Sequence, residues 1–188
     1  MKNILIRYNN ASHFKLILFF FLLLMFSSCL SLKPTTTKSG KKYFETFYVG
    51  EEGMQYFIKP VLFKDQKSNE ELILDITFRY RNEIKDSAIV NFTIKSSKIY
   101  KTIDSLKIAN KVIQINSSEL KLLFNEKNKN EFTSRYSTKF SLNEIKEMFS
   151  NDAWEIIIHN QSKIITYKPH RKSSKAINAV KDKVFVLM

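Results

Sequence analysis

Between residues 71 and 81 the chain reads ELILDITFRYR. Leu72, Leu74, Ile76, Phe78 and Tyr80 alternate with Asp75, Thr77, Arg79 and Arg81, and Ile73 is the one apolar residue on the polar side. A period of two sends successive side chains to opposite faces, so this is a half-buried strand. Residues 87–95 repeat the pattern, with Ala88, Val90, Phe92 and Ile94 against Asn91, Thr93 and Lys95. The segment 82–86 between them is short enough for a hairpin loop, and antiparallel pairing follows.

Other stretches predict more strands. Residues 43–48 and 54–64 are aromatic-rich and flank Gly50-Glu51-Glu52-Gly53, the arrangement of a hairpin around turn glycines. Pro60 cannot donate a ladder hydrogen bond, so it marks an edge or a bulge. In residues 99–115, Ile103, Leu106, Ile108, Val112, Ile113 and Ile115 follow neither period well, and one or two short strands are predicted there. Residues 119–125 and 131–140 suggest a hairpin around the polar loop 126–130, with Phe132, Tyr136 and Phe140 on one face. A last pair of strands is predicted at 154–159 and 163–168.

Two helices interrupt this pattern. Ser141-Leu142-Asn143-Glu144 has capping-box spacing, in which the Ser and Glu side chains satisfy free N–H groups at a helix start. Leu142, Ile145, Met148 and Phe149 supply its apolar stripe. After Pro169, residues 173–188 hold Ile177, Val180, Val184 and Leu187 at helical spacing, although 184–188 alone also reads as a final strand. The predicted fold is mainly β: an antiparallel sandwich or partly open barrel with one internal short helix and a C-terminal helix.

A different pattern lies at the front. Residues 16–26, LILFFFLLLMF, are unbroken apolar sequence, preceded by Lys2, Arg7 and Lys15 with no acid. A positive front and a short apolar middle are the layout of a secretory signal. A spanning helix needs about 20 apolar residues, so this run predicts a leader rather than a permanent span. Phe26-Ser27-Ser28-Cys29 follows and resembles the lipobox of bacterial lipoproteins. That family most often has Leu three residues before the cysteine; Phe26 keeps the position large and apolar. The resemblance covers residues 1–29 only. It implies acylation of the Cys29 thiol, cleavage before it and acylation of the new amino terminus. General signal peptidase instead wants small residues one and three positions before its cut. A cut after Ser28 violates that rule through Phe26, and a cut after Ser31 satisfies it.

Cys29 is the only cysteine in the chain, so it cannot form an internal disulfide, and lipidation gives it a use. Two acyl signals anchor a protein stably where one holds it only reversibly. Leu30-Ser31-Leu32-Lys33-Pro34 carries no acid, which by the same resemblance implies the periplasmic face of the outer membrane. The predicted organisation is a signal peptide at 1–28, a lipidated cysteine and flexible tether at 29–42, and a single β-rich domain at 43–188.

Removing the leader leaves 28 of the 31 basic residues against all 18 acidic ones, a net charge of +10 with histidines neutral. Such a balance favours acidic surfaces. In the envelope these are lipid head groups, acidic glycans and acidic proteins, and export removes nucleic acid as a partner. Gly40, Gly50 and Gly53 are the three glycines, too few and too scattered for a phosphate-cradling loop.

Catalytic constellations do not appear. His13 leaves with the leader, and His159 and His170 flank a predicted hairpin without the HxxxH or HExxH spacing of a metal site. No metal or cofactor is predicted. Glu51-Glu52 and Glu70-Glu71 are neighbours rather than carboxyl groups opposed across a cleft, so they read as solvated charge. No serine lies in a GxSxG or SxxK setting.

Phe44, Phe47, Tyr48, Tyr56, Phe57 and Phe63 suit a core better than a stacking platform for sugars. The C-terminal cations Lys163, Lys168, His170, Arg171, Lys172, Lys175, Lys181 and Lys183 face only Asp182. Lys168, Arg171, Lys172 and Lys175 are the candidates for contact with an anionic surface, against the plainer reading of a solvated helix face. The functional expectation is a non-catalytic binding or assembly module held to the membrane by acyl chains on Cys29. The alternative is a carrier of an apolar or sugar ligand held between the sheets, and a hydrolase ranks behind both.

Overall fold

The computed structural model describes residues 42–81 and 87–188. The leader, Cys29, the tether up to residue 41 and the loop 82–86 lie outside the described residues.

The alternating stretches become the middle of a sheet. β3 (Glu71–Tyr80) and β4 (Ser87–Ser96) pair antiparallel, with Leu74 opposite Phe92. β1 (Phe44–Tyr48) and β2 (Met54–Asp65) form the first hairpin, Tyr48 opposite Met54. Its turn is a single 3-10 turn at Gly50–Glu52, and Gly50 and Gly53 have φ of 66° and 84°. At Gly53 a Cβ would run into the Tyr80 carbonyl and Arg81, so glycine is required there on both counts.

The region of mixed periodicity gives β5 (Ser105–Ala109) and β6 (Gln114–Ser117). Then come β7 (Lys121–Asn128), β8 (Glu131–Ser141), β9 (Glu155–Asn160) and β10 (Lys163–Pro169). α1 (Leu142–Met148) separates β8 from β9, and α2 (Arg171–Lys183) follows β10.

Among the described residues, these ten strands form one antiparallel sheet in the order β6-β5-β9-β10-β2-β3-β4-β8-β7, with β1 beside β2. The sheet curls into a half-barrel. Ser117 of β6 meets Thr138 of β8 through a 2.6 Å hydroxyl contact, which brings distant parts of the strand order together. β2 carries two neighbours on one edge: β1 along Met54 to Ile58, and β10 along Phe63 to Asp65. Pro60 lies in the gap between them, where the β2–β3 register shifts between Ile58 and Val61. A bulge there removes the need for the N–H that proline lacks.

The concave face carries the core: Leu72, Leu74, Ile76 and Phe78 from β3, Ala88, Val90, Phe92 and Ile94 from β4, and Ile156 and Ile158 from β9. Both helices close over it, α1 through Leu142, Ile145 and Met148, and α2 through Ile177 and Val180. A chain of ring contacts crosses the interior from Tyr56 on Phe78 (5.0 Å) through Phe185 (5.4 Å), Phe149 (4.7 Å) and Trp154 (4.8 Å) to Phe63 (6.2 Å). Each such pair adds about 0.5–1.5 kcal/mol beyond area burial. On the convex face Arg135 joins three strands, donating to Asp75 and to Thr93 at 2.8 Å each, while Asn91 donates to Asp75 at 3.0 Å.

Three local expectations are corrected. The hairpin loop placed at 126–130 is a two-residue turn, because β7 and β8 pair as far as Asn128 opposite Glu131, with Lys129 at a φ of 54°. Residues 184–188 do not form a strand; Phe185–Leu187 is a 3-10 turn that sends Phe185 back into the core. The early aromatics divide: Phe63 is fully buried, but Phe47, Tyr48 and Phe57 stand 52%, 77% and 41% exposed. Phe47 and Phe57 meet edge to face at 5.6 Å across the β1–β2 hairpin. Phe44 and Tyr56 of the same hairpin pack against the core, so its aromatics divide between the two faces.

Candidate functional site

The cationic residues singled out from the sequence fall at the junction of β10 and α2. Pro169 ends β10 opposite Phe63. His170 is extended (φ −66°, ψ 150°) and caps the helix, its ring Nδ1 accepting the Lys172 N–H at 3.4 Å. The junction is fastened to β2 twice: the His170 N–H and the Ser173 hydroxyl both donate to the Leu62 carbonyl, at 3.1 and 2.6 Å. Ser173, Ile177 and Val180 face inward, which turns Arg171 and Lys175 outward with Lys172 beside them, all three exposed.

Among the described residues, none of these three side chains makes an ion pair or hydrogen bond. They also sit at the positive end of the helix macrodipole with no acid in the first turn, an arrangement that costs rather than stabilises.

Lys168 stands apart from them. It pairs with Glu155 at 3.2 Å and lies opposite Lys64, which pairs with Glu71 at 2.8 Å. It belongs to a row of charges across β9, β10, β2 and β3. Lys181 donates to the Ser150 carbonyl at 2.7 Å.

A second cluster gave no signal in the sequence. Glu70, immediately before β3, accepts from the Tyr100 hydroxyl at 2.8 Å, the Tyr167 hydroxyl at 3.1 Å and the Ser96 hydroxyl at 2.7 Å. Tyr136 extends the network by donating to the Tyr100 carbonyl at 3.0 Å. Burial first, and then the Glu70 side chain, push both phenols well above the usual tyrosine value. They remain neutral donors, so the cluster is a clamp rather than an acid–base pair. It ties the end of β4, the segment before β5 and β10 to the entry of β3. The donors lie 26, 30 and 97 residues from Glu70, distances over which no local spacing rule operates. The expectation of solvated charge therefore fits Glu71, in its surface pair, and not Glu70.

Open grooves also lie among the described residues. One of about 690 Å³ runs between α1 and the chain end, lined by Asn143, Lys146, Phe149, Lys181, Phe185 and Val186 among others. One of about 470 Å³ lies near the first hairpin, where Phe57 and Ile89 are flanked by Arg79 and Lys139.

No known protein family, curated protein or solved structure matches this chain. Among the described residues no three His, Cys, Asp or Glu side chains converge as metal ligands, and no helix is long and apolar enough to cross a membrane. His159 is a strand residue of β9, on the face opposite the buried Ile156 and Ile158, and His170 is the helix cap. Of the four cations proposed for surface contact, Arg171, Lys172 and Lys175 come together and Lys168 is held in its cross-strand pair.

Proposed function

We propose that the protein is a lipoprotein of the bacterial cell envelope, anchored by acyl chains on Cys29 at the periplasmic face of the outer membrane. Its β domain acts there as a non-catalytic binding or assembly module. The observation that carries this reading is the short apolar run at residues 16–26 followed by Ser27, Ser28 and the chain's only cysteine.

Features of the domain support the non-catalytic part. The concave face is filled by side chains, with Trp154 at 2% exposure and Phe149 at 1% in its middle. The half-buried carboxyl group of Glu70 has its oxygens taken by three hydroxyl donors. The surfaces open to a partner are the exposed hairpin aromatics, the edge strand β7 with Leu122, Leu123 and Phe124, and the cationic start of α2.

Replacing Cys29 tests the anchor. Cys29→Ser is expected to leave the precursor uncut and to abolish incorporation of a labelled fatty acid; normal processing of that variant rules the lipoprotein reading out. Native mass spectrometry of gently extracted protein tests the module. A cross-linked protein partner with no co-purifying small molecule supports it, and a bound small molecule turns the reading toward a carrier.

A further inference from the structure

We infer that the groove on the convex face between the first hairpin and β8 is the docking site for a partner protein, and that it takes an apolar side chain flanked by carboxylates. The inference rests on the binding-module reading above and names the chemistry of the partner.

Register builds the groove. Phe57 of β2 lies opposite Thr77 of β3, Thr77 opposite Ile89 of β4, and Ile89 opposite Lys139 of β8. Directly opposed residues share a face, so these four side chains form one row across the sheet. Neighbouring strands lie about 4.8 Å apart, which sets the Phe57 and Ile89 backbones about 10 Å from each other with the short Thr77 side chain between them. The result is a trough with two apolar walls and a low floor. Phe57 and Ile89 are 41% and 39% exposed, and Phe47, at 52%, extends the apolar strip through its edge-to-face contact with Phe57.

Charge decides what fits there. Among the described residues Arg79 and Lys139 line the groove and no acid does. Arg79 is held in place, its Nε donating to Gln55 Oε1 at 2.8 Å and its Nη1 to Glu52, which leaves Nη2 without a partner among the described residues. Lys139 makes no ion pair or hydrogen bond among them. Arg135, on the same face of β8, is by contrast taken by Asp75 at 2.8 Å. Cationic donors beside an apolar trough complement a carboxylate next to an apolar side chain. The shape selects the kind of partner. A small ligand site encloses most of its occupant, whereas this groove of about 470 Å³ is open and its apolar strip runs on to Phe47. A polypeptide covers such a strip with its own body, as interface anchors of aromatic and arginine type are covered.

The test uses the full chain in phosphatidylcholine nanodiscs, with empty nanodiscs as the blank, and reads the binding of fluorescent decapeptides by anisotropy. The probe alternates leucine and glutamate. One comparator alternates leucine and lysine, the other serine and glutamate. The expected result is that the leucine–glutamate peptide binds several-fold tighter than either comparator, and that K139E and I89S each weaken it several-fold. Both positions are exposed, and thermal unfolding of each variant checks that the fold persists; either variant alone suffices. Equal binding of the serine–glutamate peptide means charge alone and overturns the groove. Equal binding of the leucine–lysine peptide, no binding, or binding unchanged in both variants overturns it as well. Those failures are separate from failure of the function proposed above, which is read from fatty-acid labelling at Cys29 and from cross-linking to a native partner.

Discussion

Glu70 and its three hydroxyl donors are the group of residues whose behaviour follows most directly from geometry. Removing the Tyr167 hydroxyl keeps the buried ring and takes away one donor. Tyr167→Phe is therefore expected to lose about 1–2 kcal/mol of stability in a urea titration, with Glu70 still held by Tyr100 and Ser96. The phenols also set a pH dependence. Tyr100 and Tyr167 have folded-state values raised above the ordinary 10.0, so the unfolded chain releases these protons first as pH rises. Their contribution is complete below about pH 10 and is lost progressively above it. Unfolding midpoints measured across alkaline pH should fall from that point, and less steeply in Tyr167→Phe. A flat profile in both proteins contradicts the clamp.

At the scale of elements, α1 and α2 reach the core by different means. α1 announces itself: the Ser141 N–H donates to Glu144 Oε2 at 3.1 Å, the Glu arm of the predicted capping box, and Leu142, Ile145 and Met148 are buried as their spacing requires. α2 has an apolar stripe but begins with Arg171 and Lys172 at its positive end and no acid in its first turn. Reversing one of these charges should help the helix. Arg171→Glu is expected to raise stability by about 0.3–1 kcal/mol at low salt, measured by thermal unfolding, with the gain fading as salt is added. A loss of stability instead means that Arg171 holds a contact within the fold. The strands show the same division. β3 and β4 follow their alternation, whereas β5 and β6 lie where the pattern was mixed, each only a few residues long and each still burying its inward side chains: Leu106, Ile108 and Ile115.

Across the whole molecule the sheet has a narrow seam. β10 joins β2 through three residue pairs, Tyr167 with Asp65, Lys168 with Lys64 and Pro169 with Phe63, whereas β4 and β8 are paired along ten. Protection against hydrogen exchange should follow this difference. Amides of β3 and β4, flanked by strands on both sides, are expected to exchange slowest, and those of β7 at the sheet edge and of β1, paired only with β2, much faster. Uniform protection across all ten strands would show that the seam and edges open only with the whole domain.

The strand order explains how far the sequence carries. Hairpin partners such as β1 with β2 and β9 with β10 are short-range events, written into turn glycines and polar turns, and the strand alternation and capping box are equally local. By itself the sequence determined the β-rich class, both helices and most strand positions, because each depends on side chains within a few residues of one another. The pairing of β10 with β2, the approach of β6 to β8, the Tyr100 and Tyr167 hydroxyls on Glu70 and the fastening of the start of α2 to Leu62 of β2 were decided only by tertiary structure. Those contacts join residues far apart in the chain, and their cost in chain entropy is met by the shared core, which no local pattern describes.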